Sequence, residues 1–443
     1  MKIQLSDHFS YGKLLKFTLP SIVMMIFTSV YSVVDGIFVS NFAGKIPFAA
    51  INLIMPYIMI FGSFGFMVGT GGTALISKTL GMGEKQKANE IFSMLVWLCL
   101  IGGAVLTALS LVLLRPVAIL MGAEGEVLDN CILYGSIVML STPAYILQFS
   151  FQSFCVAAEK GKLSLTMTVV AGLCNIALDA LFVAGFRWGL AGAAAATVIA
   201  QTIGAVVPLV YFIRPNESLL RVGKFYFDGK ALLKTFTNGS SELMSNLSMN
   251  IVAMLYNLQL IRYAGQDGVA AYGVIMYVNL FFLSIFIGFS IGSAPLIGYN
   301  HGAENHPELK NIIRKSLLIL GISAIAMTVS AILLARPLAR IFVGYDQALT
   351  EMTVRGFVIY AFSFLLSGFN IFGSSMFTAL NNGLISAVIS FIRTMVCQVI
   401  AVFVLPLIFR VDGVWLSIVA AELAALLLTV YCFVKFRKRY HYA

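Results

Sequence analysis

The chain has 443 residues, of which 60% are hydrophobic and only 11% charged, against roughly 25% charged residues in an average soluble domain. A mean hydropathy of +0.94 excludes both an ordinary soluble globule and a disordered chain. The net charge of +10 does not point to nucleic acid, because the Lys and Arg residues lie between apolar runs and form no solvated basic face.

Apolar stretches long enough to cross a bilayer, about 20 residues each, recur along the whole chain. They predict an all-α polytopic membrane protein with twelve transmembrane helices, near 14–39, 48–77, 91–113, 131–157, 163–185, 190–213, 235–263, 269–299, 310–334, 353–379, 384–408 and 413–434. The first run is about 25 residues long with no small-residue cleavage site after it, so it reads as a retained helix and not as a signal peptide. The longest polar interval contains Arg214, Pro215, Asn216, Glu217, Arg221, Lys224, Asp228 and Lys230. It divides the chain into an N-terminal lobe (1–213, helices 1–6), a cytoplasmic linker (214–234) and a C-terminal lobe (235–443, helices 7–12).

A shift of 221 residues carries Arg115-Pro116 onto Arg336-Pro337, Ala49-Ala50 onto Ala270-Ala271, Gly71 onto Gly292 and Gly81 onto Gly302. With six helices per unit both halves enter from the same side, so the two lobes are expected to be related by a pseudo-twofold axis along the membrane normal, with a cavity between them. If the N-terminus is inside, 20 of the 29 Lys and Arg residues fall at the termini and in the even-numbered loops. Both termini are therefore expected in the cytoplasm, and the protein in the plasma (inner) membrane.

A charge within the bilayer costs several kcal/mol unless it is paired, wet or functional. Five acidic or basic residues fall well inside the predicted spans, away from the turns at their ends: Asp35, Asp179, Glu242, Arg393 and Glu422. Counting the helical rise from the inner face puts Asp35 roughly 30 Å along helix 1 and Asp179 roughly 24 Å along helix 5. Asn175 precedes Asp179 by four residues and shares its helical face, while Thr197 descends about 10 Å on helix 6 from the outer side. These four oxygen-bearing side chains suit a hard monovalent cation or protons shared between two neighbouring acids. The alternative is a set of structural polar groups, each bonded to a neighbouring carbonyl.

Arg393 and Glu422 fall at one depth on adjacent antiparallel helices and read as a structural ion pair, with gating or substrate contact as the alternative. Glu242 either faces the central cavity or snorkels to the inner interface. Aromatic and methionine side chains adapt to varied apolar shapes, which makes Phe64, Met67 and Phe286 candidates to line a substrate cavity beside Glu242. The six cysteines show no CxxC spacing and read as small core residues. The four histidines lie in loops or termini, and no HExxH, GxSxG or Walker motif occurs. No catalytic set survives, so the chain is not expected to be an enzyme.

Several segments together resemble the multidrug and toxic compound extrusion (MATE) transporters: Ser29 to Ser40 with Asp35 at its centre, Gly69-Thr70-Gly71-Gly72-Thr73-Ala74 followed by Gly81-Met82-Gly83-Glu84, Asn175-Ile176-Ala177-Leu178-Asp179, and Gly189 to Ala194. The resemblance covers almost the whole chain. It implies export of amphipathic, mainly cationic, drugs or toxic compounds by alternating access, coupled to Na+ or H+ entry, by a monomer that needs the lipid bilayer, small-molecule substrates and no further cofactor. In the DinF-like branch it implies a cation site in the N-terminal lobe, on an Asp of helix 1, an Asn and an Asp four apart on helix 5, and a Thr of helix 6. Asp35, Asn175, Asp179 and Thr197 match that pattern, and no metal other than Na+ is expected there. The NorM-like pattern of acids on helices 7 and 10 is not matched, since helix 10 has no acid except near its outer end and Glu242 falls early on helix 7. The competing readings are a lipid-linked precursor flippase of the same superfamily and a non-transporting membrane scaffold or receptor.

Overall fold

The computed structural model describes residues 3–38, 42 and 44–442, and the side chains of these other than Ser32, Val33, Asp35, Ile37 and Lys45. The described elements are α-helical apart from two π-helical segments: α1 (Tyr11–Phe38), α2 (Lys45–Gly81), α3 (Lys85–Leu120), α4 (Gly125–Met139), α5 (Thr142–Ala157), α6 (Gly161–Asp179) continued by a π segment (Ala180–Gly185), α7 (Gly189–Ile213), α8 (Gly229–Gly302), α9 (His306–Val343), α10 (Gln347–Ala361), α11 (Phe364–Ala379), α12 (Gly383–Phe391), a second π segment (Ile392–Cys397), α13 (Gln398–Phe409) and α14 (Val411–Tyr440).

Taken as one rod, the 74 residues of α8 would extend about 110 Å, far beyond a bilayer. Gly265 breaks it with φ 66° and ψ −152°, a conformation open to glycine because it has no Cβ. The chain reverses there: Tyr256 and Tyr272, on either side of the break, stack with ring centroids 5.4 Å apart. α8 is thus two antiparallel arms, 229–264 and 266–302. The pairs α4–α5 and α10–α11 are single spans bent by 59° and 47°. With α8 counted as two and each bent pair as one, the described residues form the twelve crossings expected.

The helices run past the apolar stretches that announce them, because only the hydrocarbon layer demands apolar side chains, whereas helical hydrogen bonding continues into the polar flanks. α8 starts at Gly229, where the Asp228 carboxylate accepts the N–H groups of Lys230 and Ala231 at 2.9 and 3.1 Å, a side-chain N-cap. The last six residues expected in the linker, Gly229 to Lys234, are therefore helical.

Left-handed backbone recurs at matched places: Gly44 and Gly265, Gly83 and Glu304, Glu159 and Asn381, Arg187 and Arg410 all have positive φ. Each pair is separated by 221 to 223 residues, although the residue type is kept in only two of the four. Buried apolar side chains divide in a similar way. One cluster draws on residues from Val252 to Tyr442, with Leu5, Phe9 and Leu14 added from the N-terminal segment. Two other clusters are built wholly from residues between Ala50 and Ala231.

At the end of the molecule that carries both termini, α2 meets both arms of α8 backbone to backbone. A Cβ on Gly71 would strike the Thr235 carbonyl and the Gly239 nitrogen, and one on Gly239 would strike the Met67 carbonyl. Gly81 and Gly302 are pressed in the same way on the carbonyls of Tyr299 and Lys78. Small residues permit this approach, and it closes that end. The same end holds Tyr440 against His301, ring centroids 5.6 Å apart, and His8 against Glu308. We expect Gly239→Ala to destabilise this arrangement by about 1–3 kcal/mol through overpacking, read as a lower thermal unfolding midpoint. Gly102→Ala, which has nothing within 4 Å of the new methyl group, should leave the midpoint unchanged.

Candidate cation site and the buried charges

α1 and α6 run parallel in a fixed register. A Cβ on Gly161 would lie 3.7 Å from the Pro20 Cβ, Ser164 Oγ donates to Met24 Sδ at 3.0 Å, a separation of 140 residues, and Gly172 admits the rings of Phe27 and Tyr31. Continued one turn, this register brings the Asp35 backbone level with Asn175. The Asp35 side chain itself lies outside the described residues. Asn175 and Asp179 are 3% and 0% exposed, and Asp179 is the last α-helical residue before the π segment.

α7 returns antiparallel to α6 after a turn in which Phe182 and Trp188 stack at 4.9 Å. A Cβ on Gly192 would lie 3.1 Å from the Phe182 Cβ, so Thr197, five residues further in, is level with position 177. Its hydroxyl donates to the Ala193 carbonyl at 3.0 Å, and the oxygen keeps lone-pair capacity. The four expected residues thus sit on three adjacent helices at one depth. Among the described residues no group of three or more His, Cys, Asp or Glu side chains is placed to hold a metal ion.

In the other half Arg393 and Glu422 meet. Arg393 Nε donates to both carboxylate oxygens at 2.9 and 3.0 Å, and a terminal guanidinium nitrogen lies 2.8 Å from Glu422 Oε1. Sequence reasoning missed the group that completes this pair. Asn370, on α11, donates to Glu422 Oε2 at 2.7 Å and to the Glu422 carbonyl at 2.9 Å, and its own oxygen accepts from Thr429 at 3.0 Å. The available signal was an Asn inside an otherwise apolar span, with a Thr seven residues after the Glu. Arg393 belongs to the second π segment, whose extra residue re-aims side chains relative to an α-helix.

The cavity candidates separate. Phe286 is fully buried and packs against Gly368 inside the C-terminal-half core. Met67 is only 6% exposed, because its carbonyl is part of the closed contact with Gly239. In both places a glycine stands opposite, Gly239 on the Met67 backbone and Gly368 on the Phe286 ring. Phe64 is partly exposed. Glu242, also partly exposed, stands about one turn beyond Gly239 on nearly the same helical face.

Removing one partner of a buried ion pair costs about 3–5 kcal/mol, whereas replacing both with apolar residues is often neutral. We therefore expect Glu422→Ala to lower the thermal unfolding midpoint sharply and Arg393→Met with Glu422→Leu to restore most of it. A double variant no more stable than Glu422→Ala would mean that the pair contributes more than mutual neutralisation.

Comparison with known proteins gives one answer. The MatE family profile matches the chain twice, over residues 20–181 and 243–404. The chain is 26% identical to the multidrug export protein MepA of Staphylococcus haemolyticus (strain JCSC1435) over 97% of its own length and 94% of the relative's. It is 25% identical to MepA of Staphylococcus aureus (strain MRSA252), covering 94% and 92%. Its fold superposes with a TM-score of 0.91, at 21% identity, on a MATE protein crystallised with MaL6, over 98% of this chain and 97% of that one. It superposes equally, with 98% and 96% covered, on an outward-facing multidrug resistance MATE transporter of the MOP superfamily. The chain is a multi-pass membrane protein that belongs to the MatE family of cation-coupled multidrug-efflux transporters, and it is not an enzyme.

Proposed function

We propose that the protein exports amphipathic, mainly cationic, compounds in exchange for Na+ or H+ that enters at a site made by Asp35, Asn175, Asp179 and Thr197. One observation supports this reading: the parallel register of α1 and α6, with the return of α7, favours a common level for the four residues. The substrate class is supported by the multidrug export proteins that the chain resembles along nearly its whole length.

The terminus-bearing end holds most of the Lys and Arg residues, which supports a cytoplasmic position for it. The chain then works as two six-helix lobes, 1–213 and 235–443, joined by the segment between them. The recurring left-handed turns and the divided apolar cores favour that division. With the cytoplasmic end closed by α2 and α8, the cleft faces outward. Glu242 at its floor supplies a negative charge for a cationic substrate.

Coupling follows from charge. Asp179 is withdrawn from water, where the arrival or loss of a cation or proton changes the local charge balance more than it would at the surface. Occupancy changes the hydrogen bonding along α1, α6 and α7, and the lobe arrangement with the better-satisfied site gains population. A substrate that binds the other arrangement more tightly then drives the opposite shift.

In proteoliposomes we expect a Na+ gradient or a proton gradient, imposed separately, to drive ethidium efflux, and the effective gradient names the coupling ion. Asp179→Asn and Asp35→Asn should each cut the gradient-driven rate about tenfold or more, as removal of the differential ion binding requires. Rates within twofold of the unmutated protein would sink the N-lobe site.

A further inference from the structure

We propose that the N-terminal segment before α1 is a latch that holds the two halves together at the closed end; this rests on the two-lobe reading above. The segment is anchored first to the C-terminal half. Leu5, Phe9 and Leu14 are fully buried in the apolar core that otherwise draws on residues from Val252 onward. The Phe9 backbone is clasped on both sides by the first turns of α9: its N–H donates to Glu308 Oε1 at 2.9 Å, and its carbonyl accepts from Asn311 at 3.0 Å and from Lys315 Nζ at 2.6 Å. His8 Nδ1 lies 2.6 Å from the second Glu308 oxygen, and the Lys315 ammonium sits 5.3 Å over the Tyr11 ring.

The other anchor lies in the N-terminal half. The Leu5 N–H donates to Glu159 Oε1 at 2.7 Å. Glu159 occupies the left-handed turn between α5 and α6, at φ 59°, so the turn that joins two N-half helices holds a segment whose apolar side chains belong to the C-half core. The end cannot open without breaking one anchor. The α9 side holds the segment by buried apolar surface and hydrogen bonds to Phe9, while the bond from Leu5 to Glu159 lies in a partly exposed place where water can replace it. The Glu159 bond is therefore the one that releases, and the segment stays with α9.

This latch adds to the glycine contacts between α2 and α8 and acts at a different place, at the rim. It sets how often the closed end opens without touching the cation site, so its effect is on the population and rate of the inward-open arrangement.

The test is Ser77→Cys, fully buried between α2 and Gly298 of α8, labelled with a maleimide in proteoliposomes and read by mass spectrometry at that position. Adding Glu159→Ala should raise the labelling rate about tenfold, the loss expected for one charge-assisted hydrogen bond. Leu5→Pro, which deletes the donating N–H, should do the same with Glu159 intact. If neither variant changes the rate by more than twofold, while Glu308→Ala lowers the thermal unfolding midpoint, the segment is only a piece of the C-half core and the latch is overturned. Ethidium efflux from the same vesicles separates the two readings: efflux without a labelling change defeats the latch alone, and latch-dependent labelling without any gradient-driven efflux defeats the exporter reading alone.

Discussion

The contact on which the rest depends is the approach of α2 to both arms of α8 through Gly71, Gly81, Gly239 and Gly302. Between helices surrounded by lipid no hydrophobic force favours association, since lipid tails are as apolar as leucine, and packing must supply it. Backbone contact supplies it here, and it also dictates direction. α2 can meet residues 235–239 and 299–302 at once only if α8 folds back, so the break at Gly265 and the closed end are one constraint seen twice. Met67 and Phe286 also stand opposite glycines, Gly239 on the Met67 backbone and Gly368 on the Phe286 ring.

The two halves handle intramembrane charge differently. In the C-terminal half Glu422 is answered on every side, by Arg393 and by Asn370, which Thr429 orients in turn. Such a closed network has no capacity left for an exchangeable ion and reads as a device for fixing α11, α14 and the π segment together. In the N-terminal half Asp179 is fully buried where α6 passes into the other π segment, level with Thr197 on α7 and with the Asp35 backbone on α1. That grouping of oxygen-bearing residues at one depth is what favours the N-terminal half as the place proposed for ion exchange.

Much of the fold was legible because bilayer thickness sets one length scale and the chain repeats it. The count of twelve crossings, the polar interval near Arg214 to Lys230 and the Arg393 to Glu422 pairing all follow from where charge can and cannot be placed. Helix ends were not legible to the same degree, since Lys230 and Lys234 break the apolar run there yet are held in α8, which the Asp228 cap starts. The bends at α4–α5 and α10–α11 and the two π segments carry no plain residue signature. Phe286 illustrates the general limit: an aromatic on a transmembrane helix faces lipid, core or cavity according to its neighbour, and Gly368 is 82 positions away in the chain.

The internal repeat resides in backbone geometry more than in residue identity. Glu304 and Asn381 adopt the left-handed turns that Gly83 and Glu159 adopt 221 and 222 residues earlier, although such a conformation is unfavourable for most side chains. Polar pairs recur with the same spacing and changed chemistry: Gln148 and Gln201 stand where Asn370 and Glu422 stand in the second half. Gln201 accepts from Ser141 at 2.6 Å and carries no charge, whereas Glu422 needs Arg393. Conserving the turns keeps the two sets of helices superposable, which a rocking motion about a shared axis requires. Varying the polar residues inside that frame lets the halves differ in chemistry, a neutral Gln201 in one and a charge-paired Glu422 in the other, without disturbing the turns they share.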